Sequence, residues 1–553
     1  MKYRATVGAS DLGLTVDGPA GENGTLLMSV RRSYLQFLFG ALGLPFLPNY
    51  TDFQFKYRVR LDDKNELTVI GLGARDDFKL NLKANETEYQ RYILNYIPVQ
   101  EQYSYTTGLV YKHFREGGFD TWVLSRNYLN NSQYKYAGNI EADTNKILDY
   151  LSGEGEIKGR FERTIIGENG LRLNFGAGAE YAHYRNSTYR LIYSSFGENE
   201  IDYETNLKIG KFAIFGQASK SYLGERLRLS LGLRSDINTY SDAMLNPLNQ
   251  ISPRLSASYT LTDKLNVNFN IGRYYQIPPY TGMGYMNKQG VFVNKENNLK
   301  YMQADHLVAG LEFLPLDKIQ VTLEGFYKSY SRYPFSVADS VPLSSKSAGY
   351  GIFGDEELVS TSKGRAYGLE LLGRFKEFEG INLVFSYTFV RSEFMDMSST
   401  WIPSSWDNRH LFNLTATRKF NKNWDFGFKW RFVGGAPYTP YDIQKSSLKA
   451  AWDLTGQGYL DYKRFNSERL KAFHQLDIRV DKQYFFKGWS LMLYADVQNV
   501  YSHKADQPPI LTLETDAGGI PVTVPSDPLR YNLKYIEGTA GTVLPTIGVI
   551  IEF

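Results

Sequence analysis

The sequence predicts an all-β chain, a transmembrane antiparallel β-barrel of about 22 strands, and three observations predict it. Apolar residues recur at alternate positions in segment after segment, with charged or amide side chains between them. The connections between those segments alternate between short turns and long irregular loops. Aromatics reach 15% of the chain, with 42 Tyr and 34 Phe, yet its mean hydropathy is only −0.37. A wall with one face in lipid gives this combination, because only alternate residues must be apolar and Tyr gathers where lipid meets water. A soluble β protein of this size would carry fewer Tyr and more continuous Val and Ile runs. No composition shift or Pro/Ser linker divides the chain, so residues 1–553 read as one barrel domain.

From the amino-terminus, residues 2–17 form one alternating segment, the first strand expected. Residues 34–47 (YLQFLFGALGLPFL) are the most apolar stretch, but Gly40, Gly43 and Pro45 break it. It falls short of the ~20 apolar residues of a spanning helix and reads as a short helix in a loop. In 227–236, Leu227, Leu229, Leu231 and Leu233 alternate with Arg228, Ser230, Gly232 and Arg234. In 265–274, Leu265, Val267, Phe269 and Ile271 alternate with Asn266, Asn268, Asn270 and Gly272. Residues 319–327 and 489–498 repeat the pattern. The polar side is too charged for a packed core, so one face meets lipid and the other meets water or a polar filling. Residues 541–553 close the series with one mainly apolar face and a terminal Phe553.

The short connections are 18–24, 62–65, 115–118, 166–170, 222–225, 262–264, 315–318, 376–380, 421–423 and 485–488. They hold the Gly, Asn and Asp that tight turns need. Between them fall the long segments 274–301, 332–363, 434–470 and 501–540. Short turns on one rim and long loops on the other make a barrel, whereas a propeller or sandwich has no such two-sidedness. Ten short turns pair the strands and leave 541–553 over, about twenty-one in all. Single-chain barrels of this kind have an even number of strands, and those near twenty-two enclose a plug. One upgoing strand is therefore expected to precede Met1, which leaves the domain incomplete at its amino-terminus.

Little points to bond-making chemistry. The six His are scattered, no pair has metal-ligand spacing, and Cys is absent, so neither a metal centre nor a disulfide framework is expected. No G-x-S-x-G, phosphate loop or basic-aromatic nucleic-acid patch occurs, and the net charge is only +3. The chain reads as neither an enzyme nor a nucleic-acid binder, with no cofactor. The carboxylate pairs Asp62-Asp63, Asp76-Asp77 and Glu356-Glu357 read as solvated charge in turns or loops. The candidate ligand-binding residues are loop aromatics: Tyr274, Tyr275, Tyr280 and Tyr285 around one long loop, and Trp401 and Trp406 in another. Such rings stack on a sugar, a chelate or another planar ligand, or else pack the loop base and the interfacial girdle. Arg409 and the lumen-side Arg228 and Arg234 read as partners for an anionic solute or for carboxylates of a lumen filling, or else as members of ordinary lumen salt bridges.

Several stretches, in chain order, resemble the TonB-dependent outer-membrane receptors. They are SPRLSASYTLTDKLNVNFNIGRYYQIPPY (252–280), GRAYGLELLGRF (364–375), WDNRHLFNLTATRKF (406–420), GGAPYTPYD (434–442) and LDIRVDKQYFFKGWSLMLYADVQNVYS (476–502), with the closing IEF. VRRSYLQFLFGALGLPF (30–46) is similar to sequence that follows the first barrel strands of that family. The resemblance implies a monomer in the outer membrane of a Gram-negative bacterium, set among lipid and lipopolysaccharide. It further implies import of a scarce small solute: a siderophore, cobalamin, oligosaccharide or peptide. It implies too an amino-terminal plug inside the barrel, preceded by a segment through which the TonB complex would supply energy, and this sequence holds neither. A passive porin or structural barrel is the alternative.

Overall fold

The computed structural model describes residues 1–194, 197–346, 354–536 and 538–553. Its main sheet runs through β1 (Lys2–Gly8), β2 (Asp11–Pro19), β3 (Gly24–Ser33), β4 (Phe46–Arg60), β5 (Asn65–Leu80), β6 (Val99–Arg115), β7 (Gly118–Tyr136) and β8 (Lys146–Ile166). It continues through β9 (Arg172–Ser194), β10 (Gly197–Tyr222), β11 (Leu227–Asn238), β12 (Ile251–Thr262), β13 (Leu265–Gln276), β14 (Met302–Leu316) and β15 (Ile319–Ser336). It ends with β16 (Leu358–Phe378), β17 (Ile381–Met395), β18 (Arg409–Phe420), β19 (Trp424–Val433), β20 (Phe473–Phe486), β21 (Trp489–Gln498) and β22 (Leu544–Glu552). Each strand is antiparallel to the next, and β22 returns to β1 with Ala5 opposite Ile551 and Thr6 opposite Ile550. The twenty-two strands thus form a closed antiparallel barrel.

One expectation is corrected here. Residues 2–17 are two strands, β1 and β2, folded at Ala9 and Ser10, so no strand is missing between β22 and β1. Across that seam Arg4 Nε donates to Glu552 at 2.6 Å, and Tyr3 and Phe553 exchange backbone hydrogen bonds at 3.2 and 2.9 Å. The turn was hidden because it lies on the long-loop rim yet is only two residues long, with no Gly, Pro or Asn inside it. All ten short connections do join strands on the opposite, inner rim, as their turn residues predict. The short helix in 34–47 is present as Leu35–Ala41. Asp76 and Asp77 do not lie in a turn: they sit within β5, opposite Gln102 and Glu101.

The lipid boundary can be read from where the apolar face changes side. In β10, Phe212 and Ile214 point outward and are 50% and 67% exposed. Higher on the strand the outward positions become Lys208, Asn206, Glu204 and Asp202, while the inward Ile209, Leu207 and Tyr203 are buried. In β9, paired with it, the outward face passes from Ala177, Ala179 and Tyr181 to His183 and Arg185 as the inward Tyr184 becomes buried. Below the switch the outside is lipid and the inside is wet; above it the outside is water and the inside is packed protein. Strands β8, β9 and β10 have 21, 23 and 26 residues, about twice the 9–11 that cross a membrane. They rise as a wall beyond the outer surface. No helix among the described residues is long and apolar enough to span a membrane, so the strands make the crossing.

The apolar core therefore lies above the membrane. Tyr184, Leu207 and Ile209 of the wall pack with Leu358 at the outer end of β16 and with Tyr240, Met244, Met283, Leu299 and Leu343 from the outer loops. These loop residues come from connections far apart in sequence, gathered as one layer on the inward face of β9 and β10.

Candidate functional site

The long loop 277–301 turns inward instead of projecting into solvent. Its short helix, Tyr280–Met283, lies against the wall, and the Tyr280 ring stacks on Tyr184 at 6.0 Å and 23°. The Tyr280 hydroxyl donates to Glu156 at 2.5 Å, and Lys211 Nζ donates to the Tyr280 oxygen at 3.0 Å and to Glu156 at 2.7 Å. Lys158 reaches the other Glu156 oxygen at 2.6 Å, and Lys211 also pairs with Glu180 at 2.8 Å. Burial, followed by the hydrogen bond to Glu156, pushes the Tyr280 phenol well above its ordinary value, so it stays a neutral donor. Three strands position this cluster: Glu156 lies opposite Ala182 and Lys211 opposite Glu180, level with the change of face in β9 and β10.

Under the loop lies a cavity of about 460 Å³, with Lys158, Glu180, Lys211, Arg234, Asp236, Tyr275 and Tyr301 in its lining. Charged groups of both signs and phenols face one space. That suits a solute with aromatic or hydroxylated surface and a few charges better than an apolar one. Burial pushes the Tyr301 phenol up to about 12, so it too is un-ionised at neutral pH.

Of the seven candidate residues, two reach this site, Tyr275 in the cavity lining and Tyr280 in the cluster above it, whereas Tyr274 lines a separate pocket with Arg254 and Asn270. Tyr280 makes the contacts above, and Tyr285 meets Tyr203 edge-on at 5.6 Å. The Tyr275 hydroxyl donates to Gln303 at 3.3 Å, and its ring meets Tyr301 edge-on at 6.5 Å. Tyr274 lies beside His306, ring centroids 4.6 Å apart, with the Arg254 guanidinium 4.5 Å from its own centroid. The other three lie apart, at the base of loop 396–408. Trp401 carries the Arg365 guanidinium 4.2 Å over its ring, whereas Trp406 is 72% exposed. Arg409, at a left-handed φ of 64°, stands 4.0 Å from Asp407.

Asp407 is the centre of that second cluster and escaped the sequence reading. Fully buried, it accepts from Arg391 Nε at 3.1 Å, from Arg469 Nη2 at 2.7 Å and from the Ser392 amide at 2.8 Å. Glu393 bridges Arg391 and Arg365 at 2.6 and 2.7 Å. Glu156, Lys211 and Tyr184 were missed as well. Their inward parity was the only local signal, and parity does not say which strands stand side by side.

A closed barrel with a lipid belt, a wet interior and long outer loops defines an outer-membrane barrel protein. The model of the family described as TonB dependent receptor-like, beta-barrel, matches residues 12–500, and the chain belongs to that family, whose barrels lie in the Gram-negative outer membrane. No curated protein matches the sequence. Among solved structures, the ferripyoverdine receptor of Pseudomonas aeruginosa bound to ferripyoverdine is similar over 100% of this chain and 71% of its own, at 15% identity and a TM-score of 0.68. The ferric-catecholate import receptor Fiu of E. coli K12 covers 100% and 81% at 11% identity and a TM-score of 0.66. The copper transporter OprC covers 100% and 80% at 13% identity and a TM-score of 0.65. Identities this low speak for the fold alone.

Proposed function

We propose that this chain is the barrel of a TonB-dependent importer. Its outer loops capture a scarce solute, and a plug and a TonB contact of the family's kind gate the lumen and supply the energy. The observation that carries this reading is the docked loop layer. Loop 277–301 is pinned at Tyr280 to Glu156 and Lys211 over a cavity lined by phenols and charges. A passive pore needs no such built receptor surface. Siderophores, cobalamins, oligosaccharides and peptides are the solute classes in view. A ferric chelate is the first to test, since two of the similar proteins are a ferripyoverdine receptor and a ferric-catecholate import receptor. The protein works as a monomer ringed by lipid and lipopolysaccharide.

The test is growth of a deletion strain on candidate iron chelates, cobalamins and oligosaccharides, with and without TonB. Uptake of one solute class should require both this gene and TonB. Lys211→Ala should weaken capture of that solute about tenfold, equivalent to about 1.4 kcal/mol, with the barrel still folded. Solute passage that is indifferent to TonB would overturn the reading in favour of a porin.

A further inference from the structure

Below the loop-capped cavity the lumen wall carries two further hollows, and the three stand in series. The cavity shares Arg160 and Phe215 with a hollow of about 350 Å³, which Glu162, Arg172, Asn174 and Ser219 also line. That hollow shares Gln217 with a third, of about 170 Å³, where Ser230, Arg254, Ser256, Asn270 and Tyr274 lie. The inward positions of β10 set the order: Lys211 and Ala213 in the cavity, Phe215 at the neck, then Gln217 and Ser219. Lys211 and Ser219 are about 27 Å apart along the strand. Ser219 lies opposite Arg172, the first residue of β9, so the series runs from the outer cavity nearly to the inner rim.

The charges along this lane pass from matched to unmatched. In the cavity Lys158 and Lys211 pair with Glu156, and Arg234 pairs with Asp236. At the neck two guanidiniums stand by the Phe215 ring, Arg160 at 5.5 Å and Arg234 at 6.0 Å from its centroid. Arg160 is itself paired with Glu162, which also accepts from Asn174 at 2.6 Å. Below the neck, Arg172 and Arg254 are exposed to the lumen, and neither has a carboxylate partner among the described residues. Arg254 lies against the Tyr274 ring instead. Around these two cations the wall offers hydroxyls and amides, and Gln217 already donates to Ser230 at 2.7 Å. A carboxylate in the upper cavity competes with internal carboxylates for every cation, whereas below the neck it meets guanidiniums with free donors. An anion is therefore held more strongly on its way in.

We propose that Arg172 and Arg254 form an inner anion station, which receives a hydroxylated polycarboxylate solute from the capture cavity past Phe215. This rests on the importer reading and adds to it the chemical class of the solute and the side of the lumen along which it travels. The continuity with the loop-capped cavity assigns the carboxylates to the solute. Arg172 on β9 and Arg254 on β12 are three strand spacings apart, about 14 Å at the wall, so a solute with two separated carboxylates meets both.

Calorimetry on the full chain in detergent tests the station. The probes are citrate and its trimethyl ester, which keeps the skeleton and loses the charge. Citrate should bind at least about tenfold more tightly than the ester, since each guanidinium supplies a charge-assisted hydrogen bond. Arg172→Gln combined with Arg254→Gln should remove that preference. Lys429→Gln takes an inward cation from β19, where it lies opposite Thr415 and Asp477, and should leave citrate binding unchanged. Heat-modifiable gel mobility reports that each variant is folded, and the citrate–ester comparison on the unaltered protein stands if one is not. Equal binding of citrate and ester, no citrate binding at all, or a folded double variant that keeps the preference would overturn the proposal. So would an equal loss in Lys429→Gln, which would mean that lumen charge acts at large and not at one station. TonB takes no part in this measurement, so its failure is distinct from failure of the importer reading, which growth with and without TonB decides.

Discussion

Asp407→Ala is expected to loosen the outer loops by about 3–5 kcal/mol while the barrel stays closed. Asp407 has no exposed surface and holds two guanidiniums, those of Arg391 on β17 and Arg469 in loop 434–472. Arg469 also donates to the carbonyls of Asp407 and Gly435 at 2.5 and 2.6 Å, so one ion pair ties two loops to the end of a strand. Removing the carboxylate leaves both cations enclosed with one fewer anion, which costs far more than the pair contributes when intact. Asp407→Asn keeps the shape and an acceptor, and should cost less. Hydrogen exchange should show loops 396–408 and 434–472 losing protection in Asp407→Ala, with the strands unchanged. Unaltered protection in both loops would show that Asp407 is not the anchor.

Leu231→Arg is expected to destabilise the folded protein in bilayers by about 2–4 kcal/mol, and Ser230→Arg by far less. The two residues are neighbours on β11 but face opposite ways. Leu231 is 62% exposed on the outside and lies opposite Ala218 and Leu255. The Ser230 hydroxyl points into the lumen and accepts from Gln217 at 2.7 Å. A guanidinium at Leu231 would enter hydrocarbon, whereas one at Ser230 would meet water and polar wall. Urea unfolding in vesicles measures both. Equal effects would mean that the two faces do not meet different solvents.

What the sequence made legible was local. Strict alternation marked the strands through the membrane, and Gly, Asn and Asp marked every inner turn. Gly40, Gly43 and Pro45 marked the helix in the first long loop as too short to span. The Ala9–Ser10 turn was not legible, because a two-residue connection without Gly, Pro or Asn leaves the alternation of residues 2–17 almost unbroken. The outer halves of β9 and β10 were missed for another reason. Above Tyr181 and Phe212 the apolar residues change face, and the switch blurs the period in a chain read as one continuous pattern. The docked loop layer was beyond reach altogether, since Tyr280 meets Glu156 at a separation of 124 residues. Composition singled out Tyr274, Tyr275, Tyr280 and Tyr285 around one loop, but gave no sign of the Glu156–Lys211 pair that meets Tyr280. Trp401, Trp406 and Arg409 pointed to a second region whose centre is the neighbouring Asp407.

The account rests on closure of the barrel between its first and last strands, and a disulfide measures that directly because the chain has no Cys. Thr6 faces Ile550 across the seam in a non-hydrogen-bonded pair, where Cα atoms stand about 4.5 Å apart, within disulfide reach. Met492 faces the same Ile550 from β21 and serves as the control. In folded protein under mild oxidation, Thr6→Cys with Ile550→Cys should form an intramolecular bond as fully as Met492→Cys with Ile550→Cys. If only the control pair bonds, β1 does not meet β22 and the closed barrel is wrong.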